Sequence, residues 1–142
     1  MSSARRATLE VDLSALRSNY RLLKDRLKSG GCAAVVKADA YGLGVAAVST
    51  VLWDEGCRDF FVATLDEGIE LRAVLPDARI TVFSGLFQGE EKDYAAHRLT
   101  PVLNDPGQVE RFVARDNVHS ILHVDTGMTR LGLTQTQLQK IF

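Results

Sequence analysis

Val35-Val36-Lys37-Ala38-Asp39-Ala40-Tyr41-Gly42 sets one lysine at the end of a short apolar run, where a buried parallel strand hands over to a polar loop. In a (β/α) barrel the reactive groups stand at the C-terminal ends of the strands, so a lysine delivered there is partly desolvated before any ligand arrives. An ordinary lysine, with a pKa of about 10.4, is the neutral nucleophilic amine in only roughly one molecule in 2,500 at pH 7. Schiff-base chemistry at Lys37 therefore needs burial to favour the uncharged form. Taken by position alone, the plainer reading is a solvated charge at a strand end.

The sequence around this run alternates strand and helix signals. Thr8 to Val11 reads as a short strand. Asp12 or Ser14 then opens a helix whose apolar positions Leu13, Leu16, Tyr20, Leu23 and Leu27 recur at helical spacing until Gly30-Gly31 stops it. Cys32 to Val36 is the first buried strand, and Gly44 to Glu55 a helix built on Val45, Val48, Leu52 and Trp53. Phe60 to Ala63 is the next strand, Asp66 to Val74 a helix halted near Pro76, and Ile80 to Phe83 the third strand. Glu90 to Ala96 predicts a helix, Pro101 to Leu103 a short strand, Pro106 to Ala114 a helix with proline in its first turn, and His119 to Val124 a fifth strand. Thr134 to Phe142 begins another helix.

Near-continuous apolar strands separated by helices of about ten residues mean parallel strands covered by helices, an α/β fold. An open dinucleotide-binding sheet would place a GxGxxG turn after its first strand, and Lys37 to Gly44 contains none. The expectation is an incomplete (β/α)8 TIM-type barrel of about the first five β/α units, because a closed barrel of this kind takes about 250 residues. No linker, charge run or repeat divides residues 1–142, so they read as one incomplete domain.

Composition narrows the function classes. The chain has 142 residues, 46% hydrophobic and 25% charged, with a net charge of -1, as expected of an ordinary folded domain. Without a dense Lys/Arg block, neither nucleic acid nor an anionic membrane is expected as a partner. No segment approaches the ~18 apolar residues that span a bilayer, and Arg5 and Arg6 precede no apolar run, which points to a cytoplasmic protein. Cys32 and Cys57 have neither CxxC spacing nor histidines at ligand distance, so they read as reduced thiols, and no metal is expected.

Two stretches carry a family resemblance. Ala34-Val35-Val36-Lys37-Ala38-Asp39-Ala40-Tyr41-Gly42, together with His123-Val124-Asp125-Thr126-Gly127-Met128-Thr129-Arg130-Leu131-Gly132, resembles the alanine racemase family. The likeness extends to the opening Asp12-Leu13-Ser14-Ala15-Leu16 and covers the whole chain.

The resemblance implies a pyridoxal 5′-phosphate enzyme that interconverts L- and D-alanine, supplying D-alanine for peptidoglycan. Its N-terminal eight-stranded barrel would precede a mostly β domain, and it would act as a homodimer. On this reading residues 1–142 are a truncated N-terminal cofactor-binding barrel without the C-terminal β domain. Lys37 would hold the cofactor covalently and move the substrate's Cα proton on one face. Tyr41 would hydrogen-bond the cofactor phosphate. Arg130 would lie beside the cofactor's phenolic oxygen and the substrate carboxylate, where its planar fork grips an anion. The opposite-face base in the family is a tyrosine from the partner subunit, beyond Phe142. With one base only, the chain alone is expected to give no useful turnover.

Two positions depart from the family pattern. Leu43 stands where histidine is frequent, and His123 stands where some members carry a lysine modified to a carbamate that supports the arginine. His123 is then expected beside Arg130 as a neutral imidazole, or an anion supplies the support instead. Plainer readings accompany each residue: Tyr41 as an amphipathic ring in a loop network, Arg130 as a surface ion pair with Asp125, Asp125 as a loop-ordering acceptor, and Asp39 as structural. Trp53 reads as core, and His97 and His119 as surface or strand-end residues. Another functional class is a non-catalytic pyridoxal-phosphate binding barrel, which also begins with a strand-end lysine. The Asp125 to Arg130 stretch favours the racemase over it.

Overall fold

The computed structural model describes residues 7–113 and 119–141. Helix α1 (Leu13–Asp25) is capped by Asp12, whose carboxylate accepts from the Ser14 and Ala15 amides. The chain then runs through β1 (Ala34–Val35), the turn α2 (Lys37–Gly42), α3 (Val45–Asp54), β2 (Asp59–Val62), α4 (Leu65–Val74) and β3 (Arg79–Val82). It continues through α5 (Glu91–Ala96), β4 (Leu99–Leu103), α6 (Pro106–Val113), β5 (Ile121–Leu122) and α7 (Gln135–Ile141).

All five strands are parallel and pair in chain order, β1-β2-β3-β4-β5. A helical crossover between each neighbouring pair is the (β/α) arrangement, so the expected α/β fold with five barrel units is what the chain builds. Register puts Phe60, Ile80 and Leu99 in one row and Phe61, Thr81 and Thr100 in the next, on the opposite face. The first row packs under the helices: Phe60 and Ile80 are wholly buried, as are Val62, Val82 and Leu71 of α4. Gly68 lets α4 lie close, since a Cβ there would stand 3.1 Å from Leu99 Cδ1 and 3.3 Å from Val82 Cγ2. On the other face Phe61 and Phe83 stack with centroids 5.3 Å apart. No helix among the described residues is long and apolar enough to cross a membrane.

Several sequence expectations need correction. Thr8 to Val11 forms no strand; Leu9 is 76% exposed and the segment pairs with nothing described. Helix α1 ends at Asp25 because the next turn carries nothing to bury, Leu27 being exposed. The first strand is only Ala34–Val35, since β1 has a single sheet neighbour and Val36 leaves the ladder after its amide reaches Phe61 O. Strand β4 starts at Leu99, two residues before Pro101, because Leu99 packs beneath Gly68. The fifth strand shrinks from six residues to Ile121–Leu122, as Val124 turns away to bridge Leu133. The predicted ends at Ala114 and Phe142, and Arg5 and Arg6, lie outside the described residues.

Both cysteines are free, Cys57 buried and Cys32 half-buried. Cys57 Sγ donates to Asp59 O, and burial raises its pKa. Trp53 is partly buried against the core, with the Arg58 guanidinium 4.0 Å above its ring. Replacing Phe60 by alanine is expected to cost about 3–5 kcal/mol of stability, because the emptied space between sheet and helices cannot collapse around a central strand. Urea unfolding followed by circular dichroism measures it; a loss under about 1 kcal/mol would show that this row is not the core.

Candidate active site

The carboxyl ends of β1, β2 and β3 and the segment after β5 surround a cavity of about 550 Å³. Among the described residues its polar lining is Lys37, Tyr41, Ser84, His123 and Arg130, with no carboxylate side chain. Phe83, Phe87 and Val35 supply apolar wall. Two cations in a cavity without an acidic side chain favour an anionic ligand that also carries a flat apolar body.

Lys37 is half-buried, with Nζ 5.9 Å from the centre of the Tyr41 ring. The segment that follows it is not the simple polar loop expected. Ala38, Asp39, Ala40 and Tyr41 all have φ between 52° and 57°, a full turn of left-handed helix made by residues other than glycine. Such a conformation costs about 1–2 kcal/mol per residue, so surrounding contacts must hold it. The Ala38 amide donates to Glu67 Oε1, Asp39 O accepts from the Gly44 amide, and Asp39 Oδ1 accepts from the Val45 amide at the start of α3. Ala40 is buried, leaving Tyr41 at the cavity rim with 64% of its surface exposed. Asp39, read as structural from the sequence, orders the end of this turn as an acceptor.

Arg130 rides on the 125–132 loop. The loop's two ends are pinned as a pair: the Leu133 amide donates to His123 O and the Asp125 amide to Leu133 O. Gly132 makes this possible, with φ 103° and an imagined Cβ only 2.8 Å from Asp125 N. Asp125 Oδ1 accepts from the Gly127 and Thr129 amides, and these backbone donors, Thr129 first, hold its carboxyl below the usual value of 3.8. The surface ion pair between Asp125 and Arg130 is not formed among the described residues, because the carboxylate is already committed to backbone. The Arg130 guanidinium is exposed and has no protein partner among the described residues, so its donors stay available to a ligand.

His123 is held by a buried amide. Asn104 Nδ2 donates to Phe83 O and Val102 O, which can only accept, so Asn104 Oδ1 must be the atom 2.8 Å from His123 Nδ1. Nδ1 therefore carries the proton and Nε2 of the neutral ring keeps its lone pair. Asn104 is fixed in turn: its backbone N–H donates to Gln108 Oε1, and Gln108 Nε2 donates to Ser84 O. Gly85, at φ 85°, leaves room for that glutamine, since a Cβ there would fall 2.1 Å from Gln108 Oε1.

Residues 11–142 match the family model described as alanine racemase, N-terminal domain. The chain belongs to the alanine racemase N-terminal domain family. It is 46% identical over 142 residues to alanine racemase of Rhodospirillum rubrum, covering 95% of this chain and 38% of the relative. To alanine racemase of Rhizobium meliloti it is 45% identical over 130 residues, 89% of this chain and 34% of the relative. The crystal structure of alanine racemase from Bartonella henselae with covalently bound pyridoxal phosphate superposes with a TM-score of 0.87 at 37% identity, over 92% of this chain and 40% of that one. The chain thus spans well under half the length of these alanine racemases.

In this family member the structure brings together Lys37, Tyr41 and Arg130, the three site residues singled out in the sequence. It also draws in residues sequence reasoning passed over: Glu67, Asn104, Gln108 and Gly85. Only Glu67 left a signal, the Thr64-Leu65-Asp66-Glu67 spacing of a capping box, which the structure shows at the start of α4.

Two outcomes test the geometry. Nitrogen NMR of His123 is expected to show a protonated Nδ1 and a bare Nε2 in the neutral ring, and Asn104→Leu to lose that preference; an Nε2-protonated ring in the unaltered chain would contradict the amide argument. Because the folded Asp125 carboxyl sits below 3.8, its ordering of the loop is complete above that pH and lost as the pH falls through the lowered value. Amide exchange at Gly127 and Thr129 is accordingly expected to be slow near pH 6 and accelerated in Asp125→Ala at the same pH.

Proposed function

We propose that this chain is the lysine-bearing, N-terminal part of a pyridoxal 5′-phosphate-dependent alanine racemase, interconverting L- and D-alanine. The observation that carries the reading is the convergence of Lys37 and Arg130, 93 positions apart in sequence, on one cavity with no acidic side chain among its described lining residues. That donor set fits the cofactor: an amine for its aldehyde, a guanidinium for its phenolic oxygen or the substrate carboxylate, a tyrosine hydroxyl for its phosphate, and aromatic wall for its ring. When bound, pyridoxal 5′-phosphate supplies an electron sink that lowers the barrier to losing the substrate's Cα proton.

The residues of the chain have separate tasks in this proposal. Lys37 would hold the cofactor through Nζ, and the same nitrogen would take or return the substrate's Cα proton on one face. Arg130 orients the substrate carboxylate with its fork, while Asp125 keeps the loop beneath it in place. With Nδ1 committed to Asn104 Oδ1, His123 has Nε2 left for a ligand. Racemisation needs a second base on the opposite face, which the family resemblance assigns to a tyrosine of a partner subunit's C-terminal domain. A cytoplasmic homodimer supplying D-alanine for peptidoglycan is the corresponding cellular reading.

Incubation with pyridoxal 5′-phosphate, borohydride reduction and peptide mass mapping is expected to place the pyridoxyl group on Lys37, and Lys37→Ala to abolish it; an adduct spread over other lysines would end the proposal. Racemisation by these 142 residues alone should lie at least ~100-fold below a full-length relative, the usual contribution of one acid–base group. Comparable turnover would show that the second base is not needed from elsewhere.

A further inference from the structure

One carboxylate ties the lysine's neighbour to the next strand. Glu67 Oε1 accepts from the Ala38 amide at 2.8 Å, and Oε2 accepts from the Ala63 amide at 2.6 Å and from the Thr64 amide at 3.4 Å. Ala38 directly follows Lys37 and is the first residue of the left-handed turn. Ala63 follows β2 and, like Lys37 and Tyr41, lines the cavity. Glu67 itself is placed by α4, which Gly68 allows to sit hard against Leu99 and Val82. A capping box needs the glutamate to serve only its own helix end, and here the second oxygen reaches 29 positions back along the chain.

We propose that Glu67 is a positioning residue for Lys37 and Tyr41, its carboxylate setting the left-handed turn that aims both side chains into the cavity. Ala38 to Tyr41 lie in a conformation their side chains disfavour, so the turn persists only where partners over-determine it. Asp39 secures its far end through Val45 and Gly44. At its near end Glu67 is the side-chain acceptor that replaces what a strand neighbour would otherwise supply. Were Ala38 free to relax toward right-handed dihedrals, the direction of the chain after Lys37 would reverse its twist, and Tyr41 would leave the cavity rim. The labelling part of the test rests on the proposed cofactor chemistry; the exchange part does not.

Glu67→Gln separates the two tasks of the carboxylate. Its one remaining oxygen can keep the α4 cap by accepting from Ala63 and Thr64, while its amide NH2 meets the Ala38 N–H donor to donor. Measured on the full chain, the Ala38 amide is expected to exchange about tenfold faster than in the unaltered protein, with the melting temperature within about 4 °C. Borohydride-trapped pyridoxyl at Lys37 should fall about tenfold in initial rate, since a misdirected amine loses its approach to the aldehyde. Thr64→Ala is the companion variant: it removes the hydroxyl half of the cap and leaves the bridge, so stability should drop while Ala38 exchange and Lys37 labelling hold. The proposal is overturned if Glu67→Gln leaves both readouts at their original values, or if Thr64→Ala lowers labelling as far as Glu67→Gln does. Should the unaltered chain fail to label at Lys37, the cofactor reading fails, and Ala38 exchange alone still decides whether Glu67 sets the turn.

Discussion

Five parallel strands paired in chain order bring every strand's carboxyl end to one rim, and everything at the candidate site depends on that constraint. Register does the placing. With Phe60 opposite Ile80 and Phe61 opposite Thr81, one row of side chains is forced under the helices and the next toward the opposite face. The residues just beyond the ladder, Lys37, Ala63, Ser84 and His123, then emerge around one cavity. A slip of one position in β2 would exchange its two faces and bury the wrong residues, and the wholly buried Phe60 and Ile80 oppose it.

Against this rigid frame the site concentrates its unusual features in short connections. The turn after β1 is left-handed through four residues, and the loop after β5 closes on Gly132. Each is held by a carboxylate that accepts backbone amides, Glu67 in the first and Asp125 in the second. These acidic side chains thus shape the walls, and among the described residues none enters the cavity lining. Lys37 and Arg130 face a ligand with no acidic side chain among the described lining residues.

The strand and helix alternation was legible because buried parallel strands leave apolar runs and their helices carry caps and glycine stops at fixed places. Lys37 and Arg130 were legible because they sit inside long local motifs. Strand ends were read less well: Pro101 suggested a strand start that packing under Gly68 moves back to Leu99, and the apolar stretch to Val124 hid the departure toward Leu133. The left-handed turn left no trace, since Ala38-Asp39-Ala40-Tyr41 holds no glycine and its cost is repaid by a residue 29 positions away. Asn104, Gln108 and Gly85 likewise form one network only because β3, β4 and α6 are adjacent.

Local order, then, was determined by the sequence itself: which segments become strands or helices, that the strands run parallel, and which lysine and arginine stand at the edge of structure. These follow from periodicity, caps and turn residues acting over a few positions. Tertiary structure decided the conformation after Lys37, the tautomer of His123 and which of the described side chains line the cavity. Each of those is settled by hydrogen bonds between residues far apart in the chain, and such a bond exists only once the parallel register has brought its two ends together.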